Sequence, residues 1–191
     1  MRKTLPILLL ALYSFNSMAQ EKVSFSTIPD TTIKSRVWVL SGATAAFYGM
    51  GLTALNTAWY KGYPRSGFHF FNDMGEWKQM DKAGHIFSAY FIGKYSREMW
   101  RWSGLPQKKQ IWIGGLSGFA YQSVIEVLDG YSSGWGFSWG DMGANAIGSA
   151  LLIGQELAWN EQRIQLKFSA HPINYDDPIL QEKADQLFGT T

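Results

Sequence analysis

Asp81 and His85 stand four residues apart, a spacing that puts both side chains on one face of a helix, and Lys82 lies beside them. Glu126 and Asp129 are three apart, and Asp141 and Asn145 are four apart, so each is again a same-face pair on a helix. Ser138 precedes Asp141 by three residues, the pattern of a helix N-cap. Carboxylates, an imidazole, an amide and an ammonium in such pairs suit three kinds of chemistry. A divalent metal could be held by His85 and the carboxylates, as in bundle sites built from inward-facing Glu, Asp and His. Alternatively His85, its ring oriented by Asp81, could act as a general base or nucleophile toward a phosphate or acyl group. The third use is structural: Asp81 and Asp141 serve helix N-termini, Lys82 pairs with Glu126 or Asp129, and His85 completes the network. The catalytic candidates are therefore His85, Asp81 and Glu126, with no role assigned and no cofactor specified. His69 with Asp73 could extend a metal set, but a loop histidine is expected to be solvated or packed under aromatic rings. No spacing matches a zincin, a phosphate-binding loop or a Ser-His-Asp elbow.

These residues need helices to hold them, and the chain supplies four. Val37 to Tyr60 is a 24-residue run without charge, in which Gly42 and Ala46, then Ala45, Gly49 and Thr53, recur at spacing four. Small residues so spaced let helix backbones approach closely, which predicts a buried or membrane-embedded helix. Lys61 to Gln79 breaks the pattern with Gly62, Pro64 and Gly67, and Asp73-x-x-Glu76 predicts a short helix start at Asn72 or Asp73. A second helix is predicted from Asp81 to Trp102, with Lys94, Arg97 and Arg101 near its C-terminus. A third runs from about Gln110 to Leu128 and carries Gly114 and Gly118 four apart; a fourth runs from Ser138 to about Trp159. After Asn160, Ile164, Leu166 and Phe168 alternate with polar residues in a short strand-like pattern, followed by a polar tail.

Topology makes the pairs meet. In an up-down bundle the second and fourth helices begin at the end where the third finishes, so Asp81, Lys82, His85, Glu126, Asp129, Ser138, Asp141 and Asn145 are expected to share one end. Such a polar cluster is unfavourable in a low-dielectric setting unless its members are paired or put to use.

Residues 1–19 read as a signal peptide: Arg2 and Lys3, an apolar stretch from Leu5 to Phe15, then Ser17-Met18-Ala19. The expected division is 1–19 signal peptide, 20–36 polar lead-in, 37–160 helical bundle and 161–191 polar tail. The 191 residues include no Cys, which excludes disulfides, thiol chemistry and cysteine-ligated metals, and leaves no residue for a lipobox. The formal charge of +2 belongs to Arg2 and Lys3; without them 15 basic and 15 acidic residues balance, which argues against nucleic acid. Hydrophobic residues make up 46%, and the mean hydropathy is −0.13.

Only the first helix is long enough without charge to span a bilayer; the uncharged runs in the third and fourth are 15 and 14 residues. With an exported N-terminus, four spans would place Arg101, Lys108 and Lys109 outside, against the positive-inside rule. The expected architecture is all-α: a four-helix membrane-associated bundle in the periplasm, touching membrane lipid, with a polytopic inner-membrane protein as a further alternative. Trp100, Trp102, Trp135 and Trp139 suit either headgroup level or the plugging of bundle ends.

Trp77-x-x-x-Asp81-Lys82-x-x-His85-x-x-Ser88, then Glu126-x-x-Asp129, then Gly134-Trp135-x-x-Ser138-Trp139-x-Asp141 resemble the YfiM-like domain of unknown function, described as predicted periplasmic lipoproteins. The similarity covers about residues 74–155 and departs in the missing Cys. Asp81, Lys82, His85, Glu126, Asp141, Asn145 and Gly148 are also similar to a pattern in VanZ-like membrane proteins. Both resemblances imply an envelope location and the same polar end; neither supplies a reaction. The function expected is that of an envelope protein without an assigned activity, or of an envelope enzyme acting on a lipid-linked or phosphate-bearing substrate with His85 as base.

Overall fold

The computed structural model describes residues 24–75, 77–169 and 174–188. The predicted signal peptide lies outside them. Five helices follow one another: α1 Lys34–Leu55, α2 Met80–Trp102, α3 Gln107–Gly130, α4 Trp139–Trp159 and α5 Pro178–Phe188. No strand occurs among the described residues.

Helices α2, α3 and α4 pack against one another and enclose the core. Glycine permits the contact. A Cβ on Gly114 would strike the backbone of Arg97, one on Gly118 the carbonyl of Ala89, and one on Gly148 the carbonyl of Ile86. Positions rising along α3 meet positions falling along α2, so these two are antiparallel, while α4 runs parallel to α2. Ala89, Tyr90, Ile111, Ala144 and Leu152 fill the little space left between the backbones.

Of the two settings expected for helix α1, burial inside the bundle is excluded, and its length and apolarity still suit a membrane. It is not buried: Arg36 and Leu40 are its buried residues. Its ends hold it. The Arg36 guanidinium donates to the carbonyls of Ser24, Thr27 and Trp102, each at 2.8 Å, and lies 4.4 Å over the Trp102 ring. Farther along, Tyr48 packs on Tyr121 of α3. The small-residue stripe meets no helix, since Gly42 and Gly49 have nothing within 4 Å of an added Cβ. Spacing alone does not create a partner; the same spacing in α3 is used because α2 lies against it.

Three further expectations need correcting. No helix starts at Asn72 or Asp73; a 3-10 turn spans Trp77–Gln79, and left-handed backbone at Lys78 and Gln79 precedes α2. The Asp73 carboxylate is taken by Lys82 and Ser138 instead of by a helix terminus. The alternating segment after Asn160 is extended but unpaired with any strand: both backbone groups of Ile164 are met by the Gln155 side chain, at 2.6 and 3.0 Å, and Phe168 packs on Phe87. The tail also holds α5, where Asp177 accepts from the backbone N–H of Ile179 at 2.8 Å and Pro178 occupies the first turn.

Two glycines separate the tight interface from the open one. Gly118→Val should lower stability by about 1–3 kcal/mol or more because backbones must part. Gly42→Ala, on the open face of α1, should be neutral or gain up to about 1 kcal/mol of helix propensity. Equilibrium denaturation of both variants checks the contrast.

Candidate functional site

The site forms where α2 and α4 begin and α3 ends. Ser138 caps α4: its Oγ accepts from the Asp141 N–H at 3.1 Å and donates to Asp73 at 2.8 Å. Above this end two loops are joined by backbone hydrogen bonds: His69 N–H to Gly130 O, Phe71 N–H to Phe137 O and Phe137 N–H to His69 O. Phe68, Phe70, Tyr131, Phe137 and Trp139 pack ring against ring on these loops.

Lys82 is buried and its ammonium lies 2.7 Å from Asp73, 2.9 Å from Asp81 and 2.7 Å from Asp141. The expected pairing with Glu126 or Asp129 is replaced by this one, because Lys82 points toward the start of α4 and the preceding loop. Burial would lower the Lys82 pKa, but hydrogen bonds to Asp141, Asp73 and Asp81 outweigh it and leave the pKa raised. For Asp73 burial likewise opposes the outcome, and hydrogen bonds from Lys82 and Ser138 hold it below its ordinary value.

His85 is set beside this group. Its Nδ1 lies 3.0 Å from Asn145 Oδ1, with Gln122 flanking the same nitrogen at 3.4 Å. An amide oxygen only accepts, so the Asn145 contact is made with a proton on Nδ1. The His85 Nε2 faces carboxylate oxygens on three helices: Asp81 Oδ1 at 3.7 Å, Glu126 Oε1 at 3.7 Å and Asp141 Oδ1 at 3.6 Å. Glu126 is 1% exposed; its Oε2 accepts from the Ser138 N–H at 3.3 Å, and its Oε1 has no hydrogen-bond partner. Burial, then the nearby charge of Asp141, push the Glu126 pKa up to about 8. Burial also raises Asp141 to about 6, against the pull of Lys82.

Asp129 stands slightly apart, accepting the Tyr60 hydroxyl at 2.5 Å, with burial raising its pKa. A cavity of about 850 Å³ opens over the cluster. Asp73, Asp81, His85, Asp129 and Asp141 line it together with apolar Leu55, Met80, Ile125 and Phe168. His69 also reaches its wall, but its Nε2 bonds the Trp135 carbonyl at 2.6 Å, which keeps it out of the carboxylate group. Thus Asp81, Lys82, His85, Glu126, Asp129, Ser138, Asp141 and Asn145 lie together at one end. Tyr60 and Gln122 join them without a signal in their spacing. The tryptophans divide: Trp100 is buried and Trp102 sits under Arg36, whereas Trp139 is 69% exposed.

Residues 67–154 match the model of a family described as predicted periplasmic lipoprotein (DUF2279). The matched segment holds every member of the cluster except Tyr60, and leaves out α1 and the tail. The DUF2279 description names the periplasm, consistent with the exported location that the N-terminal residues predict. No residue of this chain can carry a cysteine-linked lipid. No curated protein and no solved structure matches the chain.

Removing the shared cation should be severe. Lys82→Met leaves three carboxylates without their ammonium and should cost about 3–5 kcal/mol, read as a lowered denaturation midpoint.

Proposed function

We propose that this chain is a cell-envelope protein that attaches to a lipid bilayer through the outer faces of α1, α3 and α4, and presents its acidic–histidine cavity at one end of the bundle. The observation that carries the reading is a reversed polarity. Among the described residues more polar than apolar side chains are buried, while Trp38, Val39, Phe47 and Met50 of α1 and Trp112, Ile113, Leu116, Val124 and Val127 of α3 are exposed. On α4 the outward positions are Gly143, Ala146, Ile147, Ala150, Gly154 and Leu157. A helix facing water carries charge on that side, and an apolar surface this extended marks a membrane or protein contact. Exposed Lys34, Lys108 and Lys109 flank it at one end, whereas the acids of the cavity turn inward, a distribution that favours anionic lipid. On the other side the extended tail lies over α2 and α4, with Arg163, Gln165 and Lys167 exposed. Helices α1 and α3 are long and apolar enough to cross a bilayer; the proposal is attachment, and release by a carbonate wash separates it from a span. The resemblance to YfiM-like and VanZ-like proteins supports an envelope role for the same end.

Vesicle flotation tests it. The protein should float with anionic vesicles, be released by carbonate, and lose at least about ten-fold in bound fraction when Trp112 and Leu116 are both changed to Glu, with helix content kept. Failure to float, or retention through the carbonate wash, overturns attachment through this face.

A second reading, an enzyme acting on a lipid-linked or phosphate-bearing substrate, is favoured by one observation: His85, held through Nδ1 by Asn145, lines the cavity beside Asp81 and Asp141. In that reading His85 is the general base. Cells lacking the protein should not be complemented by His85→Ala if this is right, although the variant folds; full complementation ends the reading.

A further inference from the structure

The cage around His85 Nε2 contains acceptors only. The three oxygens that surround Nε2 belong to carboxylates on three different helices. None lies within hydrogen-bond distance of the nitrogen. Lone pairs gathered in this way repel unless a cation sits among them. Lys82 reaches one oxygen of the cage, Asp141 Oδ1 at 2.7 Å, but engages Asp81 through Oδ2 and makes no contact with Glu126, which leaves Asp81 Oδ1 and Glu126 Oε1 facing His85. The independent sign is Glu126 itself, buried, aimed at Nε2, and carrying an oxygen that no donor in the protein satisfies.

From this geometry we infer that Asp81, His85, Glu126 and Asp141 form a site for a divalent cation of the zinc type, which cross-links the open ends of α2, α3 and α4. The spacing fits. Ligand atoms about 2.0–2.2 Å from a tetrahedral zinc lie about 3.3–3.6 Å from each other, and the Nε2 to oxygen distances are 3.6 to 3.7 Å. The candidate atoms of Asp81, His85 and Asp141 all fall within 4.8 Å of one another. One imidazole and few ligands favour zinc over calcium or magnesium, which take more oxygens and no nitrogen. The surroundings are those a metal-bound histidine has, its far nitrogen donating to a fixed acceptor, here Asn145. Lys82 in turn holds Asp81 and Asp141 in position. With Asp73 set against Lys82, three carboxylates remain, and a doubly charged ion leaves only one net negative charge among them. The inference rests on the site's geometry and not on attachment to a bilayer. It gives His85 Nε2 to the metal, so it competes with the general-base reading for the same lone pair.

The purified full chain, stripped with chelator and then titrated, decides it. Zn2+ should bind one equivalent per chain and raise the thermal midpoint, because a ligand confined to the folded state stabilises it. Calcium and magnesium should not compete. Co2+ in its place should give the intense visible absorption of a tetrahedral centre. Glu126→Gln and His85→Gln should each weaken uptake about 100-fold, whereas His69→Gln, outside the cage, should leave it unchanged. The inference is overturned if the folded wild type takes up neither Zn2+ nor Co2+ at one equivalent. It is overturned equally if bound Co2+ shows only the weak absorption of an octahedral ion, or if uptake survives both cage variants. The wild-type cobalt spectrum keeps the test decisive should those variants not fold. Vesicle flotation of the same preparation reports separately on bilayer attachment.

Discussion

Helices α2, α3 and α4 touch at their backbones, and the other features of the molecule follow from that contact. With Gly118 against the Ala89 carbonyl and Gly148 against the Ile86 carbonyl, little volume remains between the helices for branched apolar side chains. The interior is therefore thin in its middle, and polar side chains occupy its ends. Close approach also brings residues from three helices to within a few ångströms at the end where two helices begin and the third finishes. A bundle held apart by large side chains would separate His85 from Glu126 and Asp141. The site is thus a consequence of glycine placement as much as of its own residues.

The same economy of volume bears on the outer surface. Large apolar residues that do not fit between the backbones lie outside, on α1, α3 and α4, and give those faces a character opposite to that of a water-soluble bundle. Helix α1 is the extreme case: fixed at one end by Arg36 and at the other through Tyr60 of the π-helical turn Asn56–Tyr60 that continues it, it offers the core almost nothing between. Its contribution to the site is the Tyr60 hydroxyl on Asp129. The extended tail lies over α2 and α4, with Arg163, Gln165 and Lys167 exposed beside Ile164 and Phe168.

How much of this was legible in the sequence depends on the range of the interaction. Helices α2 and α4 were readable because apolar periodicity, N-cap chemistry at Ser138 and flanking glycines are local signals. Convergence of Asp81, Glu126 and Asp141 was readable because it follows from helix order. Which acid pairs with Lys82 was not, since Asp73 lies on a loop whose path is set by hydrogen bonds to residues more than sixty positions away. The choice between burial and a membrane setting for α1 was not legible for a related reason: a glycine stripe states that a close partner is permitted, and only the tertiary arrangement decides whether one arrives. Helix α5 carried its start signal in Asp177-Pro178, but the polar composition around it hid the pattern.

The bundle has a charged network at each end, and the two differ in balance. At the far end Arg97 meets Glu156 at 2.6 Å, and Gln162 donates to the other oxygen of Glu156 at 2.9 Å, so one anion has one cation and both oxygens have donors. That network can be purely structural, a latch between α2 and α4. At the cavity end Asp73, Asp81 and Asp141 surround a single ammonium, Glu126 lies beyond its reach, and the Glu126 Oε1 has no donor. Two networks built from the same kinds of residue in the same bundle need the same compensation for burial. Each end keeps an unpartnered buried atom, Arg97 Nε at the far end and Glu126 Oε1 at the cavity end, but among the described residues only at the cavity end do the acids outnumber the ammonium they share. The deficit therefore identifies the cavity end as the place where something outside the polypeptide, a proton or a cation, completes the structure.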